Sequence, residues 1–324
     1  MSFEPDRVSV VDLEPASSDF LQEVIAGLSA SPRTLPCKFF YDERGANLFQ
    51  QICELPEYYV TRTEMQVLRD EGPSIAKAVG PGIELIGLGT GAGTKTRILL
   101  DHLDQPTAYI PVDISREQLT QSAASFGKLF PGLEVLPVCA DYMQPVDLPV
   151  ASRTPSRKIF YFPGSTIGNL EPEAADAFLH RIAAACGPNG GLIIGVDLQK
   201  SREILEPAYN DSAGVTAEFN LNLLVRANRE LDANFDLAQW RHYAVYNSAE
   251  GRVEIFVISE IEQTIRICDH QFEFAAGEKI ITEFSYKYSP EGFTNLAAQA
   301  GFRCERMWTD RAHLFGVFYL TVQS

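Results

Sequence analysis

Glycine is concentrated in one short stretch, Gly87-Leu-Gly89-Thr-Gly91-Ala-Gly93-Thr-Lys95-Thr96, which follows an apolar run and precedes a helical pattern. Glycines at such a place let backbone N–H groups approach a ligand closely, at a helix start that favours negative charge. Three ligands compete for the loop. A triphosphate-binding loop needs GxxxxGK[ST]; counted from Gly89 it places Lys95-Thr96 correctly, but Thr94 stands where glycine is required. A dinucleotide loop needs GxGxxG, and counted from Gly87 its last position is Ala92, an allowed variant. The third ligand is S-adenosylmethionine, whose carboxylate can meet the N–H groups and whose ribose needs a carboxylate at the end of the second strand. Asp113 closes Tyr109-Ile-Pro-Val-Asp113 at that place, and Asp141 precedes an aromatic ring in Cys139-Ala-Asp141-Tyr142. A carboxylate can accept from two ribose hydroxyls, and an acid beside an aromatic ring suits an adenine. Each aspartate alone also reads as a strand-end cap. Together, after a glycine loop, they favour a nucleoside ligand.

The elements that must position these residues alternate in type. Apolar runs at Ile83 to Leu88, Ala108 to Val112, Leu133 to Cys139, Lys158 to Phe162 and Leu192 to Val196 predict five strands of a parallel sheet. Helices are expected between them at Thr94 to Leu103, Arg116 to Leu129 after Ser115 as a cap, and Pro172 to Cys186, ended by Gly187-Pro188. A helix capped by Ser17 or Ser18 is expected earlier, with Phe20, Leu21, Val24, Ile25 and Leu28 on one face. From about Leu198 the pattern changes to helices at Glu203 to Tyr209 and Thr216 to Leu231. Alternating runs follow at Arg252 to Ser259, Thr264 to Phe274 and Lys279 to Tyr288. Closely spaced strands without helices predict an antiparallel sheet. A helix opened by Ser289-Pro290 and closed by Gly301 leads to a terminal hairpin, Phe302 to Trp308 and Leu314 to Val322. Such a pair ends the doubly wound sheet of class I methyltransferases, which tips the choice of ligand to S-adenosylmethionine.

Composition narrows the function from another side. With 27 basic and 43 acidic side chains in 324 residues, the net charge of -16 repels phosphate backbones and anionic lipid headgroups. Neither nucleic acid nor a membrane is expected as a partner. Acids at Glu4, Asp6, Asp12 and Glu14 oppose a signal peptide, so a cytosolic protein is expected. Six cysteines without a CxxC and five histidines without HxxxH or HExxH give a metal site no support; the cysteines read as reduced thiols.

Four longer blocks are more specific than the loop. Leu35-Pro-Cys-Lys-Phe-Phe-Tyr41-Asp42, Leu55-Pro-Glu-Tyr58-Tyr59-Val-Thr-Arg62-Thr-Glu64, Gly164-Ser-Thr-Ile-Gly168-Asn169-Leu and Tyr209-Asn-Asp-Ser-Ala-Gly214-Val-Thr-Ala-Glu-Phe219-Asn220 resemble the histidine-specific Nα-methyltransferases of ergothioneine biosynthesis. The resemblance runs over nearly the whole chain. It implies an S-adenosylmethionine enzyme that methylates the α-amine of L-histidine three times to give hercynine, acting as a monomer. It implies a methyltransferase core over 63–197 and 289–324, and an inserted α+β substrate domain over 1–62 and 198–288. For the cofactor it implies Gly89, Lys95, Asp113, Asp141 and Tyr142. For the substrate carboxylate and α-amine it implies Asn169 and Tyr209, with the Gly164 carbonyl and Tyr41 hydroxyl near the amine. The imidazole would lie against Tyr58, Glu283 and Ser285, walled by Phe49 and Phe219. Two positions depart from the family pattern: Gly87 replaces an acid near the start of the glycine motif, and Ile255 replaces a methionine beside the imidazole.

The residues support the same chemistry separately. Glu283 and Ser285 are two apart on an expected strand and share a face, so they can accept from one imidazole nitrogen and donate to the other. Without the resemblance, both read as an amphipathic strand's solvated face, and Tyr41, Tyr58 and Tyr209 as core residues. Asn169 has a stronger local case, following the fourth strand at the carboxyl edge where doubly wound sheets bind ligands. Rival readings are an Nα-methyltransferase for tryptophan or another aromatic amino acid, a non-catalytic adenosyl-ligand sensor, and a nicotinamide oxidoreductase using the same loop.

Overall fold

The computed structural model describes residues 10–13 and 20–323. The expected cap at Ser17 or Ser18 lies outside them. The chain divides into two compact units, one of Met1–Ala16, Arg62–Leu198 and Tyr288–Ser324, the other of Ser17–Thr61 and Gln199–Lys287. In chain order the first elements are β1 (Val11–Asp12), α1 (Phe20–Ser29), β2 (Arg33–Thr34), α2 (Glu43–Glu54) and α3 (Tyr59–Val79). The alternating stretch runs β3 (Glu84–Leu88), α4 (Thr94–Leu100), β4 (Ala108–Asp113), α5 (Arg116–Leu129), β5 (Glu134–Val135), β6 (Val138–Cys139), β7 (Lys158–Phe162), α6 (Pro172–Cys186) and β8 (Gly191–Asp197). Then come α7 (Arg202–Tyr209), α8 (Val215–Glu230), β9 (Trp240–Asn247), β10 (Arg252–Ser259), β11 (Gln263–Ile267), β12 (His270–Phe274) and β13 (Lys279–Tyr286). The chain closes with α9 (Pro290–Gln299), β14 (Phe302–Thr309) and β15 (Phe315–Val322).

The first unit is built on one sheet in the order β1-β6-β4-β3-β7-β8-β15-β14, with β5 beside β4. The inner strands are parallel, while β15 runs antiparallel to both β8 and β14. That is the doubly wound α/β sheet with a terminal antiparallel pair. Strands β3 and β8 are buried along their whole length, as crossover helices on both faces require. Strand order reverses between β3 and β7, so the crevice at their carboxyl ends is where such sheets bind ligands.

Three expectations are corrected here. The single third strand is two short ones, because Pro137 has no N–H to give a ladder and interrupts the run. Ser115 precedes α5 but makes no side-chain capping bond; its own N–H instead donates to Asp113 Oδ1 at 3.0 Å. Residues 1–62 do not all belong to the substrate domain, since Val11-Asp12 extends the large sheet by pairing in parallel with Val138-Cys139.

The second unit holds a four-stranded sheet, β2-β13-β10-β9, and the separate hairpin β11-β12. The run Thr264 to Phe274 is thus two strands, turned at Cys268 in the left-handed region (φ 50°). Helices α2 and α8 pack together, and Asp42 caps α2 by accepting from the Gly45 N–H at 2.8 Å. Asp42 also accepts from Asn222 Nδ2 at 2.8 Å and Arg229 at 2.7 Å, which ties the start of α2 to α8. Among the described residues no helix is long and apolar enough to cross a membrane.

Candidate active site

In the first unit the glycine loop leaves β3 with Gly89, Gly91 and Gly93 all in the left-handed region, at φ 57°, 53° and 75°. A side chain there would be strained, and at Gly89 a Cβ would also lie 3.0 Å from the Tyr142 ring. At Gly91 a Cβ would meet nothing within 4 Å, so one side of the loop faces open space. Asp113, at the end of β4, holds the loop by accepting from the Gly91 N–H at 3.3 Å. Burial raises the Asp113 carboxyl above the usual carboxylate range, against the Ser115, Gly91 and Ile114 N–H groups that favour its charge. Asp141 accepts from the Met143 N–H at 2.8 Å, and the Tyr142 ring packs on Phe162 at 5.6 Å.

The acid missing at position 87 has a steric explanation. A Cβ on Gly87 would lie 2.7 Å from Thr90 Cγ2 and 3.1 Å from the Tyr109 ring. Thr90 and Tyr109 share a hydrogen bond of 3.1 Å at this place, which anchors the loop without a carboxylate.

After β7 the chain turns sharply through Gly164 (φ 82°) and Ser165 (φ 57°) into a 3-10 turn, Thr166–Asn169. Ser165 Oγ fixes this turn by accepting from the Asp197 N–H at 2.9 Å. One residue that sequence reasoning passed over organises the place. Glu64 on α3 is 0% exposed, accepts from the Gly164 N–H at 2.9 and 3.1 Å, and pairs with Lys95 Nζ at 2.6 Å. Lys95 and Gly164, both expected at the site, are therefore joined through a buried carboxylate. Gly195 on β8 leaves it room, since a Cβ there would come within 2.3 Å of Glu64 Oε1.

In the second unit the expected substrate residues gather. Phe49 lies 5.6 Å from Tyr41, 6.4 Å from Tyr58 and 6.0 Å from Phe219, ring centre to ring centre. Tyr58 in turn lies 6.3 Å from Tyr209, edge to face. Tyr209 Oη and Ser285 Oγ are 2.9 Å apart. Strand β13 pairs with β10 so that Glu283 stands opposite Ile255, just before a bulge. Ile255 and Glu283 are thus cross-strand neighbours on one face, which Ser285 shares. Tyr41 is 49% exposed, whereas Tyr58, Tyr209, Phe219 and Ser285 are buried.

The Glu283 carboxyl is pushed up to about 7 by burial, with the Lys287 ammonium acting against the rise. Burial first, then the nearby Glu283, pushes the Cys37 thiol up to about 12. Burial and then Tyr209, Cys53, Tyr41 and Glu283 hold the Tyr58 phenol well above its ordinary value. Between pH 4.5 and 7 the folded chain keeps a proton on Glu283 that the unfolded chain has lost, so stability falls as pH rises through that window. Without substrate, Glu283→Gln is therefore expected to melt a few degrees above the parent at pH 8, with a smaller gap at pH 5. Melting curves whose separation does not change with pH would contradict this.

A family model described as histidine-specific methyltransferase, SAM-dependent, matches residues 20–322. The chain belongs to this family. The histidine N-alpha-methyltransferase of Mycolicibacterium smegmatis is 41% identical over 311 residues, covering 94% of this chain and 95% of that protein. Its Mycobacterium tuberculosis counterpart is 39% identical, covering 91% and 92%. A Neurospora crassa protein named ergothioneine biosynthesis protein 1 is 31% identical, covering 86% of this chain and 32% of that longer protein.

A histidine-specific methyltransferase depends on S-adenosylmethionine, and the residues of the first unit fit it. The left-handed glycine loop has an open side at Gly91, a carboxylate closes β4, and an acid and an aromatic ring follow β6. Asp113→Ala is expected to weaken S-adenosylhomocysteine binding by about 1–3 kcal/mol in calorimetry. Unchanged affinity would make Asp113 a loop anchor only.

Proposed function

We propose that this chain transfers three methyl groups from S-adenosylmethionine to the α-amine of L-histidine, giving hercynine for ergothioneine biosynthesis. The observation that carries the choice of histidine is the shared face of β13, where Ser285 lies within hydrogen-bond distance of Tyr209 and Glu283 stands opposite Ile255. A carboxylate that accepts and a hydroxyl that donates match the two nitrogens of a neutral imidazole.

S-adenosylmethionine, when bound, supplies an already activated methyl group. The chain's own residues then have to hold a neutral amine in line and keep it there. Gly89, Lys95, Asp113, Asp141 and Tyr142 are assigned to the cofactor. Asn169 and Tyr209 are assigned to the carboxylate and amine of the amino acid, with the Gly164 carbonyl and Tyr41 hydroxyl serving the amine. Tyr41 is exposed enough to pass an amine proton to water, so no stronger base is required. As methyl groups accumulate the amine becomes a bulky cation, and the faces of Phe49 and Phe219 stabilise it by cation–π attraction. Tyr58, Glu283, Ser285 and Ile255 are assigned to the ring.

We further assign the enzyme to the cytosol as a monomer acting on a small molecule, in keeping with the net charge of -16, which disfavours nucleic acid and anionic membranes. Asn169→Ala is expected to lower kcat/KM for histidine at least about 100-fold while leaving S-adenosylhomocysteine affinity nearly intact. Histamine, which lacks the carboxylate, is expected to be a very poor substrate. Methylation of histamine as fast as histidine would overturn the assignment.

A further inference from the structure

Lys287 follows β13 by one residue, and its N–H donates to the Gly251 carbonyl at 2.8 Å, which keeps the chain extended. It therefore continues the alternation of Glu283 and Ser285 and points to the same face. The residue is only 3% exposed. Its ammonium donates to Tyr209 Oη and to Ser285 Oγ, each at 2.7 Å, and these two hydroxyls are 2.9 Å apart. An ammonium can only donate, so both oxygens accept from it. Between the hydroxyls a phenol is far more acidic than an alkyl alcohol and is the better donor. With Tyr209 as the donor, Ser285 Oγ accepts from Lys287 and Tyr209 together. Its lone pairs are used, and its own hydrogen must point to a third partner.

We propose that Lys287 is a positioning residue that makes Ser285 an obligate donor, so that Ser285 and Glu283 together select a neutral imidazole in one tautomer. The proposal rests on the reading of histidine as substrate. The ring presents its N–H to Glu283 and its bare nitrogen to Ser285. The opposite tautomer would meet Glu283 with a lone pair and Ser285 with a hydrogen. An imidazolium would aim a hydrogen at a serine oxygen already saturated, and would place a second cation near the Lys287 ammonium. Indole offers no bare nitrogen and leaves the Ser285 hydrogen unpaired, which is costly in a buried place. Of the other titratable groups that feel Glu283 among the described residues, Cys37 and Tyr58 are both kept neutral by burial. Lys287 thus acts through Ser285 and does not itself touch the substrate.

Ring-labelled 15N histidine bound together with S-adenosylhomocysteine tests this by NMR at a pH of about 8, above the value of about 7 to which burial pushes the Glu283 carboxyl, so that this group is an acceptor. The parent protein is expected to hold a neutral ring in one tautomer. In Lys287→Met and Lys287→Gln the bound ring is expected to become cationic or to mix tautomers, with kcat/KM for histidine lowered about 10-fold or more. Affinity for S-adenosylhomocysteine within about 2-fold of the parent shows that a variant has folded, and where the methionine variant fails that check the glutamine variant decides. Variants that bind histidine more weakly but keep the same neutral tautomer would show a merely structural lysine and overturn the proposal. A parent protein that methylates histidine with the ring bound as a cation overturns this inference alone. A parent protein that binds no histidine overturns the reading of function with it.

Discussion

Replacing Glu64 with alanine is expected to lower the unfolding free energy by about 2–4 kcal/mol and to weaken S-adenosylhomocysteine binding in the same variant. The carboxylate is fully buried and has two partners, the Lys95 ammonium and the Gly164 N–H. Removing it leaves a cation and a backbone donor unmatched, and the loss of such partners is more damaging than the net value of the bonds. Lys95 is partly exposed and recovers some hydration, which keeps the loss below that of a wholly buried pair. Glu64→Gln preserves an acceptor for Gly164 but not the ion pair, so it should fall between the parent and alanine. Urea denaturation followed by calorimetry reads both effects. Parent-like stability in the alanine variant would mean that the contacts of Glu64 contribute little.

The second large effect is on substrate choice. Glu283→Ala is expected to reduce kcat/KM for histidine by about 10- to 100-fold, equivalent to about 1.4–2.7 kcal/mol, and to narrow the preference over tryptophan. The variant loses the acceptor for an imidazole N–H and gains space next to Ile255, the apolar side chain opposite it on β10. Discrimination should fall more than the histidine loss alone requires, because a larger apolar ring can use the space. Parallel kinetics on both amino acids decide it. An unchanged histidine-to-tryptophan ratio would return Glu283 to the rank of an ordinary strand residue.

The large sheet was legible because its inner strands are buried on both faces and read as apolar runs, and because helices such as Arg116–Leu129 and Pro172–Cys186 carry clear periodicity. Less legible was anything decided by one residue's backbone. Pro137 divides a run that is continuous in hydropathy, and Cys268 reverses another at a position no glycine marks. Strand β9 escaped because its sequence, Trp-Arg-His-Tyr-Ala-Val-Tyr-Asn, is an edge strand with few buried positions.

The site divides in the same way. Residues with a distinctive block around them, such as Asn169 or Tyr209, could be singled out. Glu64 could not, because a glutamate on a helix ordinarily reads as solvated. Its signal was its place in the apolar stripe with Val67, Leu68 and Ile75, all of them buried. Lys287 carried a similar signal, standing two residues beyond Ser285 in the alternation that already linked Ser285 to Glu283. A lysine at that spacing passes for the wet end of a strand until its ammonium is found between two hydroxyls.

The most direct test of histidine Nα-methylation is to incubate the protein with S-adenosylmethionine and each of the twenty amino acids and read the products by mass spectrometry. L-histidine is expected to gain three methyl groups, with three molecules of S-adenosylhomocysteine formed per molecule of trimethylated product and little product from any other amino acid. Methylation of tryptophan or another amino acid in preference to histidine, or no methyl transfer at all, would contradict the account.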